Sequence, residues 1–326
     1  MRVLVLGAGG FIGSRLVARL LREGRVGDRP ISELCLFDLC ALPAVAGAPF
    51  PVASVHGDLR DRHVLDQLFE RPADVVFHLA ATLTLEAETD FRRGIETNVL
   101  AFIELLERCR LQASVQRLAP MLLFASSIST FGGELPEVVG DDTFQAPATS
   151  YGTHKAIAER LLADYSRNGF VDGRALRLPI VVTHPGPASG SISDQVASLL
   201  REPLRGQRAV CRMAPDSRMA LASVDNVIGA FLRLAALPAD ALPAVRTMNL
   251  PGLTVTPAQL EQAVRRRLGA NAGAFIEWRP DAQVQRIIDG WPRVFTSERA
   301  LALGIRPDAD ADALVDAFLS SESTRP

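Results

Sequence analysis

Short apolar segments alternate with longer amphipathic segments over the first 180 residues of the chain. The apolar segments, each four to eight residues long, lie at 3–6, 34–37, 52–55, 75–79, 121–125 and 175–182. The amphipathic segments lie at 12–23, 61–70, 90–110 and 151–167. Short buried strands that alternate with amphipathic helices are typical of a parallel sheet covered by helices on both faces. The sequence therefore predicts an α/β fold with a doubly wound parallel sheet.

The pattern changes near residue 183, where segments rich in proline and glycine are followed by helical patches and isolated short strands. We therefore predict a sheet domain at 1–183 and a smaller lobe at 184–326, from which the chain can cross back to the sheet. The aspartates and apolar residues of 308–315 predict a capped helix near the end of the lobe.

The composition excludes several classes of protein. Of the 326 residues 48% are apolar and 22% are charged, which is too apolar for intrinsic disorder. The 35 basic and 37 acidic side chains leave a net charge of −2, so neither nucleic acid nor an anionic membrane is a predicted partner. No run of about 18 apolar residues occurs, as a membrane-spanning helix would require.

The cysteines and the chain start bear on the cellular compartment. Cys35, Cys40, Cys109 and Cys211 have no CxxC spacing, and most lie in apolar segments. This pattern favours reduced thiols in a cytoplasmic protein over a disulfide framework. Glycines interrupt the apolar start and no AxA-like cleavage site ends it, so we predict no signal peptide. We also predict no metal site.

A cluster of glycines separates the first apolar segment from the first amphipathic segment. Glycine permits a tight turn, lets backbone amides approach a pyrophosphate, and allows the helix to lie close to the strand. This strand–turn–helix context predicts a Rossmann-type dinucleotide site. Its predicted cofactor-binding residues are Gly7, Gly10, Phe11, Ile12 and Gly13.

Asp38 ends the second apolar segment, 25 residues after Gly13. A carboxylate at this place can accept hydrogen bonds from the ribose hydroxyls and repels a ribose 2′-phosphate, so the predicted cofactor is NAD rather than NADP. Further residues at strand ends are predicted to contact the adenine or to line the cofactor groove, namely Asp58, Leu59, Leu79, Ala80 and Ala81. For His78 two interpretations stay open, a packed histidine at a strand end and a direct role in catalysis.

Lys155 is the single lysine of the chain, against 34 arginines. A sequence that uses arginine for its other cations predicts a role for Lys155 that a guanidinium cannot fill. Tyr151, one of two tyrosines, precedes it by four residues, and positions i and i+4 share one face of a helix. An adjacent ammonium, supplemented by an oxidised nicotinamide, favours the phenolate, so Tyr151 is a candidate base and NAD site residue together with Lys155.

Hydroxyl side chains follow the fifth apolar segment, at Ser126 and Ser127. Ligands bind at the carboxyl ends of strands in an open α/β sheet. A hydroxyl at this edge can hold the substrate oxygen during proton transfer.

These three segments, in this order, resemble the extended short-chain dehydrogenase/reductase family, or NAD-dependent epimerase/dehydratase family, with its GxxGxxG turn, SS segment and YxxxK pair. By this resemblance Ser127, five residues before Gly132, is the catalytic hydroxyl, Tyr151 the general acid/base and Lys155 its partner. The sheet domain is then the NAD-binding and catalytic domain, and the lobe is mainly substrate-binding.

The same resemblance implies further site residues. Asn98 supports the active-site lysine through water, and Pro179 and Ile180, within the segment 178–180, hold the nicotinamide. Family members suggest a homodimer through the helices near 90–110 and 151–167. A helix face that covers the sheet would give the same apolar pattern, so this alternative stays open.

A narrower resemblance, carried by 86–91, 149–155, 201–207 and 289–293, is to the D-erythronate dehydrogenases, which oxidise C2 of a four-carbon sugar acid with NAD. It implies oxidation of a small sugar acid to a 2-oxo acid. This chain differs from that group at 218–221 and at His184. The predicted substrate-binding residues are Thr82, Ser126, Ser127, His184 and Arg218, the last as a guanidinium for the carboxylate.

Two alternatives share the same motifs. A nucleotide-sugar epimerase or dehydratase regenerates its cofactor in each cycle, whereas a sugar-acid dehydrogenase produces NADH. A non-catalytic NAD-binding sensor would have no use for Ser127, Tyr151 and Lys155.

Overall fold

Strands and helices alternate through the parts of the chain that the computed structural model describes, residues 1–182, 192–269 and 276–323. The strands, in chain order, are β1 (Arg2–Leu6), β2 (Arg25–Val26), β3 (Arg29–Pro30), β4 (Glu33–Asp38), β5 (Val52–His56), β6 (Val75–His78), β7 (Met121–Ser127), β8 (Val138–Val139), β9 (Asp172–Leu178), β10 (Ile180–Val182), β11 (Ala209–Cys211), β12 (Met219–Ser223), β13 (Thr247–Asn249), β14 (Leu253–Val255), β15 (Ile276–Trp278) and β16 (Val294–Phe295).

The helices connect these strands and follow them near the end of the chain. The α-helices, in chain order, are α1 (Phe11–Glu23), α2 (Arg62–Leu68), α3 (Thr84–Thr89), α4 (Phe91–Ile95), α5 (Ala101–Gln116), α6 (Ser150–Arg167), α7 (Ile192–Leu204), α8 (Val224–Ala236), α9 (Pro257–Leu268), α10 (Ala282–Asp289), α11 (Glu298–Ala302) and α12 (Ala311–Ser323).

The central sheet has seven strands in the order β13-β9-β7-β6-β1-β4-β5. The neighbours β1 and β4, β1 and β6, β4 and β5, and β6 and β7 pair in parallel. The chain runs from β1 outward to β4 and β5, then returns to β6 on the other side of β1. This reversal confirms the predicted α/β fold with a Rossmann-type doubly wound sheet, and its switch point lies between β1 and β6.

Two compact units divide the chain. Unit 1 comprises Met1–Thr130, Pro147–Arg177 and Ile228–Met248, and unit 2 comprises Phe131–Ala146, Leu178–Val227 and Asn249–Pro326. Each unit therefore takes three separate segments, and no single cut, at residue 183 or elsewhere, separates them. The predicted division into 1–183 and 184–326 stays a prediction.

The core of unit 1 lies between the sheet and the helices that cover it. All five residues of β1 are buried, as expected for a strand inside a sheet covered on both faces. Leu65 of α2, Phe102 of α5 and Leu162 of α6 are buried in one cluster with β-strand side chains such as Leu4. This packing fixes the carboxyl edge of the sheet.

The predicted strand at 175–182 is two strands in the structure. β9 belongs to the central sheet, whereas β10 pairs with β12 in a three-stranded sheet of the order β10-β12-β14. Pro179 lies between them and has no N–H to donate to a ladder. The apolar run hides this change of sheet, because its residues are buried on both sides of the proline.

The predicted helix at 90–110 is interrupted by a π-helical turn. α4 leads into this turn at Glu96–Leu100, and α5 continues to residue 116. Such turns alter the direction of side chains within an otherwise regular helix and are frequent at functional sites. Asn98 lies in the middle of the turn.

Unit 2 has its own core around β10, β12 and β14. Val196 and Leu200 of α7, Leu260 of α9 and Val315 of α12 are buried in one cluster with β-strand side chains. The predicted terminal helix begins at Ala311, and the backbone N–H of Ala313 donates to Asp310 Oδ1 at 2.8 Å.

The described helices and the cysteines were compared with the predictions on membrane spans and thiols. Within the described ranges, the helices are all too short or too polar to span a membrane. The four cysteines are free thiols, with Cys35, Cys109 and Cys211 buried and Cys40 exposed.

Candidate active site

The predicted pair of Tyr151 and Lys155 lies on one face of α6. Thr149 caps this helix, since its side chain accepts a hydrogen bond of 3.0 Å from the backbone N–H of Gly152. The cap places Tyr151 in the first turn and Lys155 one turn later. Lys155 Nζ lies 5.5 Å from the centroid of the Tyr151 ring, so the structure brings the two side chains together.

Lys155 is buried, with 3% of its surface exposed. Its Nζ donates to the carbonyl oxygen of Ala125 at 2.7 Å and lies 4.6 Å from the centroid of the Phe124 ring. Burial lowers the pKa of Lys155 to about 7, and the carboxylate of Glu159 opposes this effect. The ammonium is therefore close to its titration range near neutral pH.

Ser127 lies near Tyr151 and favours its phenolate. Burial raises the pKa of Tyr151 to about 12, and Ser127 opposes this effect. We expected the neighbouring ammonium to dominate and to lower this pKa. In the protein alone, burial has a stronger effect on the Tyr151 pKa than the neighbouring ammonium has. Burial disfavours the charged forms of the phenol and of the amine alike.

Ser126 and Ser127 point to different surroundings, as neighbours at the end of a strand do. Ser127 is half-buried, and its Oγ accepts a hydrogen bond of 3.1 Å from the backbone N–H of Ser129. Ser126 is buried and its hydroxyl donates to Glu159. The structure therefore places Ser127 beside Tyr151 and directs Ser126 into a buried polar network.

The glycine turn after β1 leaves no room for side chains. Gly7 has φ +86°, and a β-carbon there would lie 2.7 Å from the backbone nitrogen of Ala80. A β-carbon on Gly13 would lie 1.9 Å from the carbonyl oxygen of Gly7, so α1 starts in direct contact with the turn. The amides of the first helical turn, from Phe11 to Gly13, have no carbonyl acceptor within the helix. This cradle fits a pyrophosphate.

Asp38 lies at the end of β4, next to the turn. Its Oδ2 accepts a hydrogen bond of 2.8 Å from the backbone N–H of Gly9. The carboxylate is therefore held at the cradle, where it fits the ribose hydroxyls of a dinucleotide. Gly10, the N-cap residue of α1, is exposed and its backbone is open to a ligand.

The segment after β6 lies against the same turn. The backbone N–H of Leu79 donates to the carbonyl oxygen of Leu6 at 2.9 Å, which brings Ala80 and Ala81 to the carboxyl edge beside β1. The side chain of Asn98 pairs with both backbone groups of Thr82, accepting from its N–H and donating to its carbonyl oxygen, each at 2.9 Å. Asn98 thus fixes this segment.

Asn98 also lies near the catalytic helix, since its Nδ2 is 3.4 Å from Nδ1 of His154. Its predicted support of Lys155 stays a prediction. Thr82 is buried, and its predicted contact with substrate stays a prediction too.

Asp58 and Leu59 have other partners within the protein. Asp58 Oδ2 accepts from Arg60 Nη2 at 2.5 Å, and the bonds with Arg60 lower the pKa of the carboxyl. Leu59 is buried in the core of unit 1. Their predicted adenine contacts would therefore come from their backbone groups or from the exposed side of the Asp58 carboxylate.

His78 is packed at the end of β6. Its ring stacks on Phe102 and Phe124 with centroid distances of 5.2 and 5.7 Å. Burial, and to a lesser extent the charge of Lys155, lowers the pKa of His78 to about 3. This environment favours the packed, neutral histidine of the two interpretations.

Unit 2 holds the other predicted residues. Pro179 and Ile180 are buried at the start of β10. Arg218 is exposed and forms an ion pair with Glu137. It lines a cavity of about 190 Å³ whose other lining residues are Asp216, Ser217, Gln285, Ile288, Asp289 and Arg293. His184 lies outside the described residues.

Sequence reasoning missed three charged residues. Arg293 shares the cavity with Arg218. Glu159 and Arg177 form a buried ion pair next to Lys155. For Glu159 a signal existed, since it lies four residues after Lys155 on a predicted helix, and Arg293 ends the segment 289–293 that carries the narrower resemblance. Nothing local indicates Arg177.

A comparison with models of protein families identifies the family of this chain. The family model described as NAD dependent epimerase/dehydratase family matches residues 3–250. The chain belongs to this family. The predicted resemblance to extended short-chain dehydrogenases is thereby confirmed, and the glycine cradle with Asp38 is the part of this family member that fits NAD.

Curated relatives of this family member are dehydrogenases. The chain is 40% identical to a D-erythronate dehydrogenase of Cupriavidus necator over 323 residues, 98% of each chain. It is 37% identical to a D-erythronate dehydrogenase of Haemophilus influenzae over 98% of this chain and 99% of the relative. This epimerase/dehydratase family member is therefore an NAD-dependent dehydrogenase of the extended short-chain type.

A solved structure also resembles this family member closely. The nucleoside-diphosphate-sugar epimerase from Agrobacterium tumefaciens superposes with a TM-score of 0.95 at 33% identity, covering 99% of this chain and 94% of that one. The likeness to this solved structure thus extends over nearly the whole chain.

Proposed function

We propose that this dehydrogenase oxidises the C2 hydroxyl of a small sugar acid, D-erythronate or a close analogue, to the 2-oxo acid with NAD. The single observation that carries the chemistry is the juxtaposition of Tyr151, Lys155 and Ser127 at the carboxyl edge of the sheet in unit 1. The names of the two relatives at 40% and 37% identity support the substrate class.

Tyr151 acts as the base in this proposal. The substrate C2 hydroxyl gives its proton to the phenolate oxygen of Tyr151 while the C–H bond at C2 breaks and the carbonyl forms. Bound NAD supplies the acceptor for the hydride. Lys155 stabilises the phenolate, and Ser127 donates a hydrogen bond to the reacting oxygen and orients it.

The cofactor residues retain the roles given above. Asp38 accepts from the ribose hydroxyls and Asn98 keeps the groove segment in place. Pro179 and Ile180 remain proposed nicotinamide contacts, and Thr82, Ser126 and His184 remain proposed substrate contacts.

The substrate carboxylate needs a cation, and Arg218 is the proposed one. A guanidinium binds a carboxylate through two parallel hydrogen bonds. Arg293 lines the same cavity in unit 2 and adds a second positive charge there. Glu137 occupies Arg218 through the ion pair, and a substrate carboxylate would replace it.

The Arg218 proposal predicts a change in KM rather than in kcat. In Arg218→Gln the KM for the sugar acid should rise at least about tenfold, because a charge-assisted bond is worth roughly 1.5 to 3 kcal/mol. Arg208→Gln is the matched control, since Arg208 is also an exposed arginine of unit 2. An unchanged KM in Arg218→Gln contradicts this assignment.

The substrate is tested by a panel of aldonic acids with four to six carbons, each with NAD and with NADP, followed by absorbance at 340 nm. We expect NADH from a four-carbon acid and little reaction with NADP. The experiment contradicts the proposal if no acid of the panel yields NADH.

A second candidate is nucleotide-sugar epimerisation, favoured by the TM-score of 0.95 with the Agrobacterium tumefaciens epimerase. Conversion of a nucleotide sugar without net NADH, by enzyme that retains its cofactor, would favour this function over the dehydrogenase.

We also propose a homodimer through the helices near 90–110 and 151–167, which are α4, α5 with the π-helical turn before it, and α6. Phe91, Leu100 and Ile157 are large apolar side chains exposed on these elements. A second copy would cover them by a two-fold symmetric contact. Light scattering should give twice the chain mass, and Phe91→Arg should give a monomer. Phe144→Arg, at an exposed phenylalanine of unit 2, is the control; a monomeric wild-type protein refutes the proposal.

The cytoplasmic location stays part of the proposal. It is supported by the three buried thiols at Cys35, Cys109 and Cys211, which need no oxidising compartment.

A further inference from the structure

A buried carboxylate lies one helical turn beyond Lys155 on α6. Glu159 and Lys155 are each 3% exposed, and positions i and i+4 share a helix face. The charge of Glu159 acts on Lys155 and favours its protonated form. The pair thus places a negative charge behind the ammonium, on the helix that also carries Tyr151.

Arg177 on β9 forms a buried ion pair with Glu159. Its Nε lies 3.0 and 3.1 Å from the two carboxylate oxygens, and its Nη2 lies 2.9 Å from Oε2. A bidentate guanidinium of this kind strongly favours a carboxylate over a carboxylic acid. The guanidinium therefore fixes the position of the Glu159 carboxylate in the interior.

Ser126 joins the same network from β7. Its hydroxyl donates to Glu159, and Ser126 directly precedes Ser127, the residue that acts on Tyr151. The carbonyl oxygen of Ala125, one residue earlier, accepts from Lys155 Nζ at 2.7 Å. Glu159 therefore contacts the strand end that presents the catalytic hydroxyl as well as acting on the lysine.

We propose that Glu159 is a positioning residue of the reaction, which keeps Lys155 in its ammonium form and fixes the end of β7 through Ser126. Arg177 holds the Glu159 carboxylate in place through their ion pair. This inference rests on the proposed function in one respect, the roles of Tyr151 and Lys155 in proton transfer.

The other titratable groups around Lys155 do not supply this negative charge. Burial raises the pKa of Tyr151 on the same helix to about 12, so before NAD binds its phenol does not supply this charge. His78 on β6 is neutral, since burial lowers its pKa to about 3, and in the charged form it would repel the ammonium.

Because Lys155 is the single lysine of the chain, its protonation can be measured directly. Protein labelled with ¹³C-lysine and carrying a lysine-free tag gives one Cε signal, whose shift follows deprotonation of Nζ. The titration uses the whole chain without substrate, so it does not depend on knowing the substrate. Wild-type protein should titrate near the pH of about 7 set by burial and Glu159.

In Glu159→Gln the midpoint should fall by about one pH unit, the size typical of losing an opposite charge at this range. The alkaline limb of kcat against pH, which reports loss of the ammonium, should move to lower pH together with the signal. A merely structural role of Glu159 would lower kcat at every pH without moving either midpoint.

Glu33→Gln is the matched control, because Glu33 is also buried in unit 1 and paired with an arginine, Arg2, at the opposite edge of the sheet. Its lysine midpoint should equal that of wild type. If Glu159→Gln fails to fold because the Arg177 guanidinium has lost this carboxylate, the double variant Glu159→Gln/Arg177→Gln removes both charges, and its midpoint should still fall.

Midpoints in Glu159→Gln or the double variant that match wild type and the control overturn the inference. A lowered midpoint in a protein that oxidises no sugar acid leaves the inference standing and removes the proposed substrate. If Glu159→Gln loses turnover on a sugar acid without a change in the lysine midpoint, the inference falls and the proposed substrate stands.

Discussion

Lys155 Nζ lies 5.5 Å from the centroid of the Tyr151 ring, and both side chains sit where burial disfavours charge. Burial alone would leave a neutral phenol and a lysine that is partly neutral at pH 7. The phenolate and the ammonium form more readily together than singly, because each stabilises the other. Activity therefore depends on further charges around the pair, which in our proposal come from Glu159 and from the positively charged nicotinamide of bound NAD.

Removal of the Tyr151 hydroxyl should abolish most turnover. Tyr151→Phe keeps the ring but removes the proton acceptor, and general-base catalysis contributes about 10² to 10⁴ in rate. We expect kcat to fall at least about 100-fold in the 340 nm assay. Tyr165→Phe is the control, since Tyr165 is the other tyrosine and bonds to Glu107. Retention of more than a tenth of wild-type kcat in Tyr151→Phe would disprove the assignment.

Lys155 should reduce the stability of the protein at low pH. Its pKa is about 7 when folded and about 10.4 in an unfolded chain, so between these values the unfolded state binds more protons and stability rises with pH. Below pH 7 the penalty is complete, roughly 4 to 5 kcal/mol at about 1.4 kcal/mol per pKa unit.

Lys155→Met removes this penalty. Urea unfolding should show the variant more stable than wild type at pH 6, with the difference shrinking towards pH 10. Lys155→Arg is the contrasting variant, because its buried charge cannot be released; it should be less stable at every pH and also severely impaired in turnover. A pH-independent difference between Lys155→Met and wild type would refute the prediction.

His78 should cause acid sensitivity without taking part in catalysis. Its pKa is about 3 when folded and about 6.5 when unfolded, so stability is lost as the pH falls below about 6.5. His78→Phe preserves stacking on Phe102 and Phe124 and cannot bind a proton. Between pH 7.5 and 5 the melting temperature should fall less in the variant than in wild type. Turnover at pH 8 should stay within about threefold; a 100-fold loss would show a direct role.

Gly13→Ala should damage the cofactor cradle. The new β-carbon would meet the carbonyl oxygen of Gly7 at 1.9 Å, which forces α1 away from the turn. We expect NAD binding, measured by calorimetry, to weaken at least about tenfold. Gly229→Ala is the control, since this glycine of α8 has no atom within 4 Å of an added β-carbon. Helix propensity predicts unchanged binding and up to about 1 kcal/mol more stability there.

Local sequence patterns predicted the sheet and the parts of the site that lie within a few residues of one another. The first glycine turn, Asp38 at a strand end and the i, i+4 spacing of Tyr151 and Lys155 all depend on one element or on two adjacent ones. Pro179 shows the limit of this reasoning, since an apolar run gives no sign of which of two sheets each half joins.

The sequence by itself determined the α/β fold class, the NAD cradle and the presence of a single ammonium beside a phenol, because these follow from short-range periodicity and residue type. Only the tertiary structure decided the charge state of that pair. Ser126, Glu159 and Arg177 come from three elements and meet in the interior, where burial sets how strongly each charge acts on the next. Such an arrangement has no local pattern, since it depends on how β7, α6 and β9 pack.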